Sequence, residues 1–362
     1  MRKMKDMKKY YRFPVVKGIQ AGKEYYIGMV PLKMLIKLFP NDDAYVRPEY
    51  RAQRKLNEAR VPVIKNYIIN NRDNYVFSAL AASIDGRFSF VSSQVDEVGI
   101  LEVSFDARFL IIDGQHRKAA IISALEENQE IGEETIPVVF FGDRGLARSQ
   151  QMFTDLNKHA VKTSNSIAEL YDSRDELAVM TRSMISRIPF LDEYVDKERD
   201  ILGKYSSALF TLNTFYTANR RILSRKTLDS SFLDFIIDYW TLVSKHMIPW
   251  RELCNKELSK KELREKYIAS QSVVIQAFGK VGSCFFSNKN KDGMEEAISR
   301  IELMNWRRNW DGWRLRTIRS NGRMINNESS ISLTAIEIKR SMGLSLNDDE
   351  KQQEENFQNS IK

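Results

Sequence analysis

One short string in the sequence combines residue types that bind anions or transfer protons: Asp113-Gly114-Gln115-His116-Arg117. The apolar residues 109–112 precede it and predict a short strand, and residues 115–127 have the composition of a helix. A strand that runs through a glycine into a helix presents free backbone N–H groups where the helix dipole adds positive charge. This junction therefore predicts a binding site for a phosphate or another anion.

His116 and Arg117 lie in the first helical turn, where positive side chains are electrostatically unfavourable. An anion bound there would remove the repulsion, so both are candidate phosphate ligands, together with Gly114 and Gln115. A structural alternative stays open, in which Asp113 is an ordinary N-cap and Arg117 pairs with a carboxylate of the protein. If the site is enzymatic, the candidate catalytic residues are Asp113, Gln115, His116 and Arg117, and Asp113 would orient a metal ion or a water molecule.

Three residues elsewhere in the chain would complete the rim of this site if the fold brings them near: Arg54, Asn157 and His159. Arg54 belongs to a helical pattern over residues 51–70 that Pro62 interrupts, which predicts two helical pieces. Asn157 and His159 mark the end of another predicted helix. Taken alone, that helix end is an ordinary C-terminus with favourable cations.

A second unusual segment, residues 306–323, holds three of the five tryptophans and six arginines against one acidic residue. Arginines interleaved with aromatic rings favour contact with phosphates and stacking on bases or sugars. The alternative is a buried tryptophan cluster with arginines stacked over it. The candidate DNA-binding residues are Arg307, Arg308, Arg314, Arg316, Arg319, Trp310 and Trp313.

Charge supports a polyanionic partner. The chain has 56 Lys and Arg against 48 Asp and Glu, a net charge of +8. Residues 341–362 hold two basic and five acidic residues, so residues 1–340 hold 54 basic and 43 acidic residues and carry +11. Nucleic acid is the common partner of such a surface, although solvated lysines alone would give the same count. Cys254 and Cys284 are thirty residues apart, and with only three histidines no metal site is expected.

No stretch of the sequence reaches eighteen uncharged apolar residues, so no membrane span is expected. The first nine residues are basic, but no apolar segment follows them, as it would in a secretory signal. These features favour a cytoplasmic protein.

Alternating and helical patterns predict an α+β protein. Alternation favours a hairpin over residues 10–30 and strands at 76–84, 88–90, 101–105, 109–112 and 136–141. From residue 167 to about 286 the apolar spacing is helical. We therefore expect a sheet domain at 1–165, a mainly helical domain at 166–343 and an acidic, flexible tail at 344–362. A helix over 334–340, capped by Ser329 and Ser330, closes the folded part.

The string at residues 113–117, in its strand-to-helix context, resembles the motif that defines the DGQHR-domain proteins. The whole chain is similar to the DndB family of DNA sulfur-modification proteins, with supporting matches at 54–67, 153–157 and 322–343. The resemblance implies a ParB/sulfiredoxin-like N-terminal domain whose matching loop holds nucleotide phosphates, with ATP or CTP as the candidate cofactor. It also implies a DNA-binding repressor of the operon for phosphorothioate modification, in which sulfur replaces a backbone oxygen of DNA.

Gln115 departs from the relatives. Sulfiredoxin has its catalytic cysteine at this position, so reduction of sulfinic acids is excluded. ParB-type CTP pockets have a glutamate there for the metal-dependent step, and a neutral glutamine does not replace it, so Mg²⁺ binding would need Asp113 instead.

The sequence favours a regulator whose partner is double-stranded DNA of the operon promoter. The alternative is an NTPase or nuclease of the phosphorothioation and restriction system. A third reading is a protein that binds the other DNA sulfur-modification proteins. The sequence leaves open whether the chain forms a homo-oligomer.

Overall fold

The computed structural model describes residues 10–40, 56–142, 151–152, 155, 163–203, 205–224, 226–288 and 292–361. The chain divides into two units, residues 1–161 and 162–362. The first unit contains a seven-stranded mixed sheet and the second is mainly helical, which confirms the α+β class.

Alternating apolar residues form the strands of the first unit. The predicted hairpin is present, and its turn places Ala21 and Gly22 at positive φ. The strands are β1 (Tyr10–Gln20), β2 (Lys23–Pro31), β3 (Leu80–Asp85), β4 (Phe88–Ser92), β5 (Val98–Ser104), β6 (Arg108–Asp113) and β7 (Thr135–Gly142). Across the sheet their order is β4-β5-β1-β2-β7-β3-β6, and all neighbouring strands are antiparallel except β3 and β7, which are parallel.

Strand β3 starts four residues later than the sequence predicts. Residues 76–79 have strand-forming composition, but the carbonyl groups of Ser78 and Ala79 accept hydrogen bonds from a guanidinium rather than from a neighbouring strand. A backbone segment satisfied by a side chain does not need a ladder partner.

Helices cover one face of the sheet. They are α1 (Leu35–Leu38), α2 (Arg60–Asn70) and α3 (Gln115–Glu127), with 3₁₀ turns at Leu32–Met34 and Gln129–Glu133. Leu35, Ile68 and Ile121 are fully buried in one cluster with Phe13 and Phe140 of the sheet. Pro62 lies in the first turn of α2, where its missing N–H has no helical partner to lose, so it does not divide the described part of that helix.

The second unit contains eleven helices among its described residues. Their bounds are α4 (Asn165–Tyr171), α5 (Glu176–Arg187), α6 (Pro189–Tyr194), α7 (Leu212–Leu223), α8 (Ser231–His246), α9 (Ile248–Cys254), α10 (Lys260–Lys266), α11 (Ser272–Asn288), α12 (Asp292–Ser299), α13 (Glu328–Ser341) and α14 (Asp348–Ile361). The 3₁₀ turns are Arg300–Leu303 and Asp311–Trp313. Two parallel two-residue strands, β8 (Val195–Asp196) and β9 (Phe210–Thr211), are too short for alternation to reveal them.

A polar bridge fixes the core of the second unit. Asn219 is fully buried, donates to Thr181 Oγ1 at 3.0 Å and accepts from Trp240 Nε1 at 2.8 Å. Each buried polar group in this bridge therefore has a partner, which ties three helices in one arrangement.

The acidic C-terminal region is a helix, not the flexible tail that its composition predicts. Helix α14 buries Phe357 against Leu333 and Ile336 of α13. The carboxylate of Glu354 is also buried and paired with Arg316. An acidic composition predicts a flexible segment when the charges are unpaired and little apolar surface is buried. Here the ion pair of Glu354 neutralises part of the charge, and the packing of Phe357 buries an apolar side chain, so the segment forms an ordered helix. Helix α13 starts from a capping box between Asn327 and Ser330, two residues earlier than the predicted cap.

Candidate functional sites

The predicted strand-to-helix junction is present. Strand β6 ends at Asp113, Gly114 has φ 95° in the left-handed region, and α3 begins at Gln115. A Cβ added to Gly114 would lie 2.3 Å from Leu80 Cδ2. The glycine is therefore required by its backbone conformation and by close packing against β3.

Arg117 is bound to the protein itself. Its Nη2 donates to Asp113 Oδ2 at 2.5 Å, and its Nη1 donates to the carbonyl oxygens of Ser78 at 2.7 Å and Ala79 at 2.9 Å and to the Ser78 hydroxyl. The side chain is 19% exposed. Arg117 therefore ties the start of α3 to the segment before β3. Arg117 pairs with Asp113, as one part of the structural alternative predicts, whereas the N-cap of α3 is Gly114 and not Asp113. Phosphate binding by these residues stays a prediction.

His116 also has a protein partner. Its Nε2 accepts a hydrogen bond from the backbone N–H of Asn57 at 3.1 Å. Desolvation, and then the nearby charge of Arg60, lower the pKa of the imidazole. The ring is therefore neutral at physiological pH, and Nε2 is its unprotonated nitrogen. Gln115 is half-buried at the first helical position.

The other three residues of the predicted rim, Arg54, Asn157 and His159, lie outside the described residues. Sequence reasoning missed the residues that hold the junction together, namely Asn57, Ser78, Ala79 and Leu80. Periodicity could not find them, because Ser78 is 39 positions from Arg117 along the chain and the two meet only through the fold.

The tryptophans of segment 306–323 belong to the core. Trp306 and Trp313 are 2% and 0% exposed, and their rings stack with centroids 5.8 Å apart. Their indole N–H groups donate to the carbonyl groups of Ile301 and Asn305. Trp310 is half-buried, with its ring edge-on to Trp313 at 5.0 Å. The prediction that Trp313 stacks on nucleic acid is wrong, because its ring is fully enclosed by protein.

Two arginines of the segment are also structural. Arg316 is 3% exposed and paired with Glu354, so the prediction that it contacts DNA is wrong as well. Arg308 is half-buried and donates to the carbonyl groups of Tyr267 and Arg264. Burial lowers the pKa of its guanidinium, although the group stays charged.

The remaining predicted arginines, Arg307, Arg314 and Arg319, are exposed. Arg307 lies over the ring of Tyr267, with its guanidinium carbon 5.0 Å from the ring centroid. Arg323, in the same segment, is also exposed. The segment therefore presents positive charge to solvent from a backbone that its buried tryptophans hold in place.

A polar cavity of about 410 Å³ lies in the second unit, and the sequence did not predict it. Oε2 of Glu169 is buried there without a hydrogen-bond partner among the described residues. Desolvation, followed by the charges of Asp200 and Asp175, raises the pKa of Glu169 to about 7. No sequence motif marks these residues, because Glu169 lies in α4, Asp175 is the N-cap of α5 and Asp200 lies in the loop after β8.

Together these features define a two-unit α+β protein with an Asp-Gly-Gln-His-Arg junction held by its own hydrogen bonds and with exposed arginines in segment 306–323. The sequence matches the family described as "DndB: DNA-sulfur modification-associated" over residues 13–345. The chain belongs to the DndB family, as its resemblance indicated, and the family implies involvement in DNA sulfur modification. Comparison with curated proteins and with solved structures finds no significant match. None of the described helices is long and apolar enough to cross a bilayer.

Proposed function

We propose that this protein is a DNA-binding repressor of a DNA phosphorothioate-modification operon. The observation that carries the proposal is the set of solvent-exposed arginines in segment 306–323 of a chain that belongs to a DNA sulfur-modification family. Guanidinium groups pair with phosphate oxygens in a forked geometry that suits DNA backbone contact.

The charge distribution supports this proposal. Residues 1–340 carry a net charge of +11. The acidic helix α14 pairs Glu350 with Lys339, and Glu354 with Arg316 and Arg340, through contacts inside its own unit. These carboxylates are therefore engaged with their own partners, and Arg307, Arg314 and Arg319 remain exposed to solvent.

A salt titration of DNA binding tests the proposal. The protein is titrated into a labelled promoter fragment of the modification operon and into a scrambled fragment of equal length and composition, with fluorescence anisotropy as the readout. We expect tighter binding to the promoter. We also expect log affinity to fall linearly with log salt, with a slope of about 0.9 for each phosphate neutralised.

The triple variant R307A/R314A/R319A should weaken binding to both fragments and reduce the salt slope by about 3, because phosphate contacts position the protein and do not read sequence. The matched control is R187A/R199A/K261A, which removes the same charge from exposed positions on other elements of the unit. Equal affinity for the two fragments would exclude a sequence-specific repressor. Equal slopes for the two variants would exclude segment 306–323 as the interface.

Nucleotide-dependent chemistry at residues 113–117 has weaker support. Arg117, the residue best suited to neutralise phosphate, already donates to Asp113, Ser78 and Ala79. Calorimetric titration with ATP and with CTP tests whether the junction binds a nucleotide. Saturable binding that Arg117→Ala abolishes, with the fold retained, would favour nucleotide-dependent chemistry at this site.

A further inference from the structure

The sheet of the first unit has a second apolar face opposite its core. Side chains alternate between the two faces of a strand, so residues directly paired across neighbouring strands share a face. The register pairs Val16 with both Val98 and Ile27. Five of the seven strands contribute to this outer face: Val91 of β4, Val98 and Ile100 of β5, Pro14 and Val16 of β1, Ile27 and Met29 of β2, and Pro137 and Val139 of β7.

These nine residues, which we call the outer-face patch, are exposed or only half-buried, whereas strand neighbours such as Val15, Leu101 and Val138 face the other way and belong to the core. Val16 is 54% exposed and Met29 is 58% exposed. An isolated exposed apolar residue is ordinary on a protein surface. A contiguous apolar patch across five strands is not, and such a patch marks an interaction site.

The size of the outer face, patch and border together, is that of a protein interface. Five strands at about 4.8 Å spacing span about 24 Å. Along most of them the outer face has three to four positions, two in the patch and the others at its border, such as Arg12, Tyr25 and Glu102, and these span about 20–27 Å. The face therefore covers roughly 500–650 Å² on one copy, and two facing copies would bury roughly 1,000–1,300 Å². That total reaches the lower range of specific protein–protein interfaces.

The charge at the rim is self-complementary. The patch itself contains no charged side chain, so it offers nothing to a polyanion such as DNA. At one border Arg12, which is 71% exposed, lies 2.9 Å from Glu102 across paired strands. A twofold axis can bring this Arg12 near the partner copy's Glu102, and the reverse, so each charge meets its opposite.

We propose that the outer-face patch is a homodimer interface, in which the sheets of two copies pack face to face. Flat faces of β-branched residues and proline suit sheet-on-sheet packing at about 10 Å. The inference is independent of the proposed DNA binding, because it concerns the first unit and is tested without DNA.

Sedimentation velocity of the full chain tests the proposal over a concentration range up to about 100 μM, where even a weak dimer is populated. We expect the wild-type chain to form dimers. Val16→Lys places a charge at the centre of the patch in each copy and should give monomers. Met29→Lys is a second variant with the same expected result. The matched control is Val63→Lys on α2, 69% exposed and outside the sheet, which should stay dimeric.

Thermal unfolding by circular dichroism establishes that each variant is folded, since all three positions are already exposed. A wild-type chain that is monomeric at every concentration overturns the proposal and indicates that another part of the chain, or a different protein, covers the patch. Dimers that persist in both Val16→Lys and Met29→Lys also overturn it, because the interface then lies elsewhere.

Discussion

Arg316 and Glu354 form a buried, two-pronged ion pair, with both N–H···O distances at 2.7 Å. The guanidinium also lies over the ring of Phe357, 4.5 Å from its centroid. Burial alone would raise the pKa of Glu354, but hydrogen bonds from Arg316 and Gln358 outweigh it and lower that pKa. The pair joins segment 306–323 to α14, so an arginine expected to bind DNA instead anchors an acidic helix.

Removing one partner of this ion pair should be costly. We expect Glu354→Gln to reduce the free energy of unfolding of the second unit by about 2–3 kcal/mol. The loss is smaller than for a fully uncompensated buried charge, because Glu337, 3.7 Å from Arg316, would still offer a carboxylate. Urea unfolding measures the loss. Glu355→Gln, at the exposed neighbouring position, is the control and should change stability by less than about 0.5 kcal/mol. Equal effects of the two variants would show that the pair carries no stability.

Arg117 should be a structural residue of the first unit. We expect Arg117→Ala to cost about 2–3 kcal/mol of unfolding free energy, because the carbonyl groups of Ser78 and Ala79 lose their donor. Arg117→Lys should restore only part of the lost unfolding free energy, since an ammonium group cannot reproduce the planar, forked set of N–H donors of a guanidinium. Arg108→Ala, at an exposed position of β6, is the control. An unchanged urea midpoint for Arg117→Ala would instead mean that the side chain is free for a ligand.

A comparison of alanine substitutions at two glycines distinguishes the cost of backbone strain from the cost of steric clash. Both Gly22 and Gly114 have positive φ, but a Cβ on Gly22 meets nothing within 4 Å, whereas one on Gly114 meets Leu80. We expect Gly22→Ala to cost about 1–2 kcal/mol from strain alone, and Gly114→Ala to cost at least about 2 kcal/mol more. Chemical denaturation of both variants gives the difference. Similar losses would mean that Leu80 moves aside easily.

The raised pKa of Glu169 predicts a pH-dependent stability. The unfolded carboxyl titrates near 4.5 and the folded one near 7, so between these values the native state holds the extra proton. Stability should therefore fall as pH rises from 4.5 to 7. Glu169→Gln, which resembles the protonated form, should be as stable as wild type near pH 4.5 and more stable at pH 8.

We expect Glu169→Gln to be more stable than wild type at pH 8 by about 1–2 kcal/mol, after allowance for partial solvent access. Thermal melts at pH 4.5 and pH 8 measure the difference. Glu198→Gln, at an exposed position in the same unit, is the control. Parallel stability–pH curves for wild type and Glu169→Gln would contradict the assignment of the proton to Glu169.

Local patterns predicted local structure well. The β1–β2 hairpin and helix α3 follow from alternation, turn residues and the glycine before the helix, all of which act within a few positions along the chain. Strand β3 was placed too early, because the composition of residues 76–79 gave no sign that a distant guanidinium would satisfy their carbonyl groups.

The candidate sites were harder to predict, because exposure is decided by tertiary packing. In segment 306–323 the sequence shows alternating Trp and Arg, a pattern that suits both a DNA surface and a stacked core. The structure divides the set, with Trp313 and Arg316 inside and Arg307 and Arg314 outside. Only the fold brings Glu354 to Arg316, across 38 positions of sequence.

The hydrophobic clusters of the described residues each draw their members from one unit: residues 13–140 form one, and residues 177–342 form the largest. A polypeptide with its own core can fold by itself. The chain could therefore be expressed as two separate fragments, cut between residues 155 and 163. A gene encoding either fragment could then be placed in a deletion strain, so that genetic complementation assigns each cellular phenotype to one half of the protein.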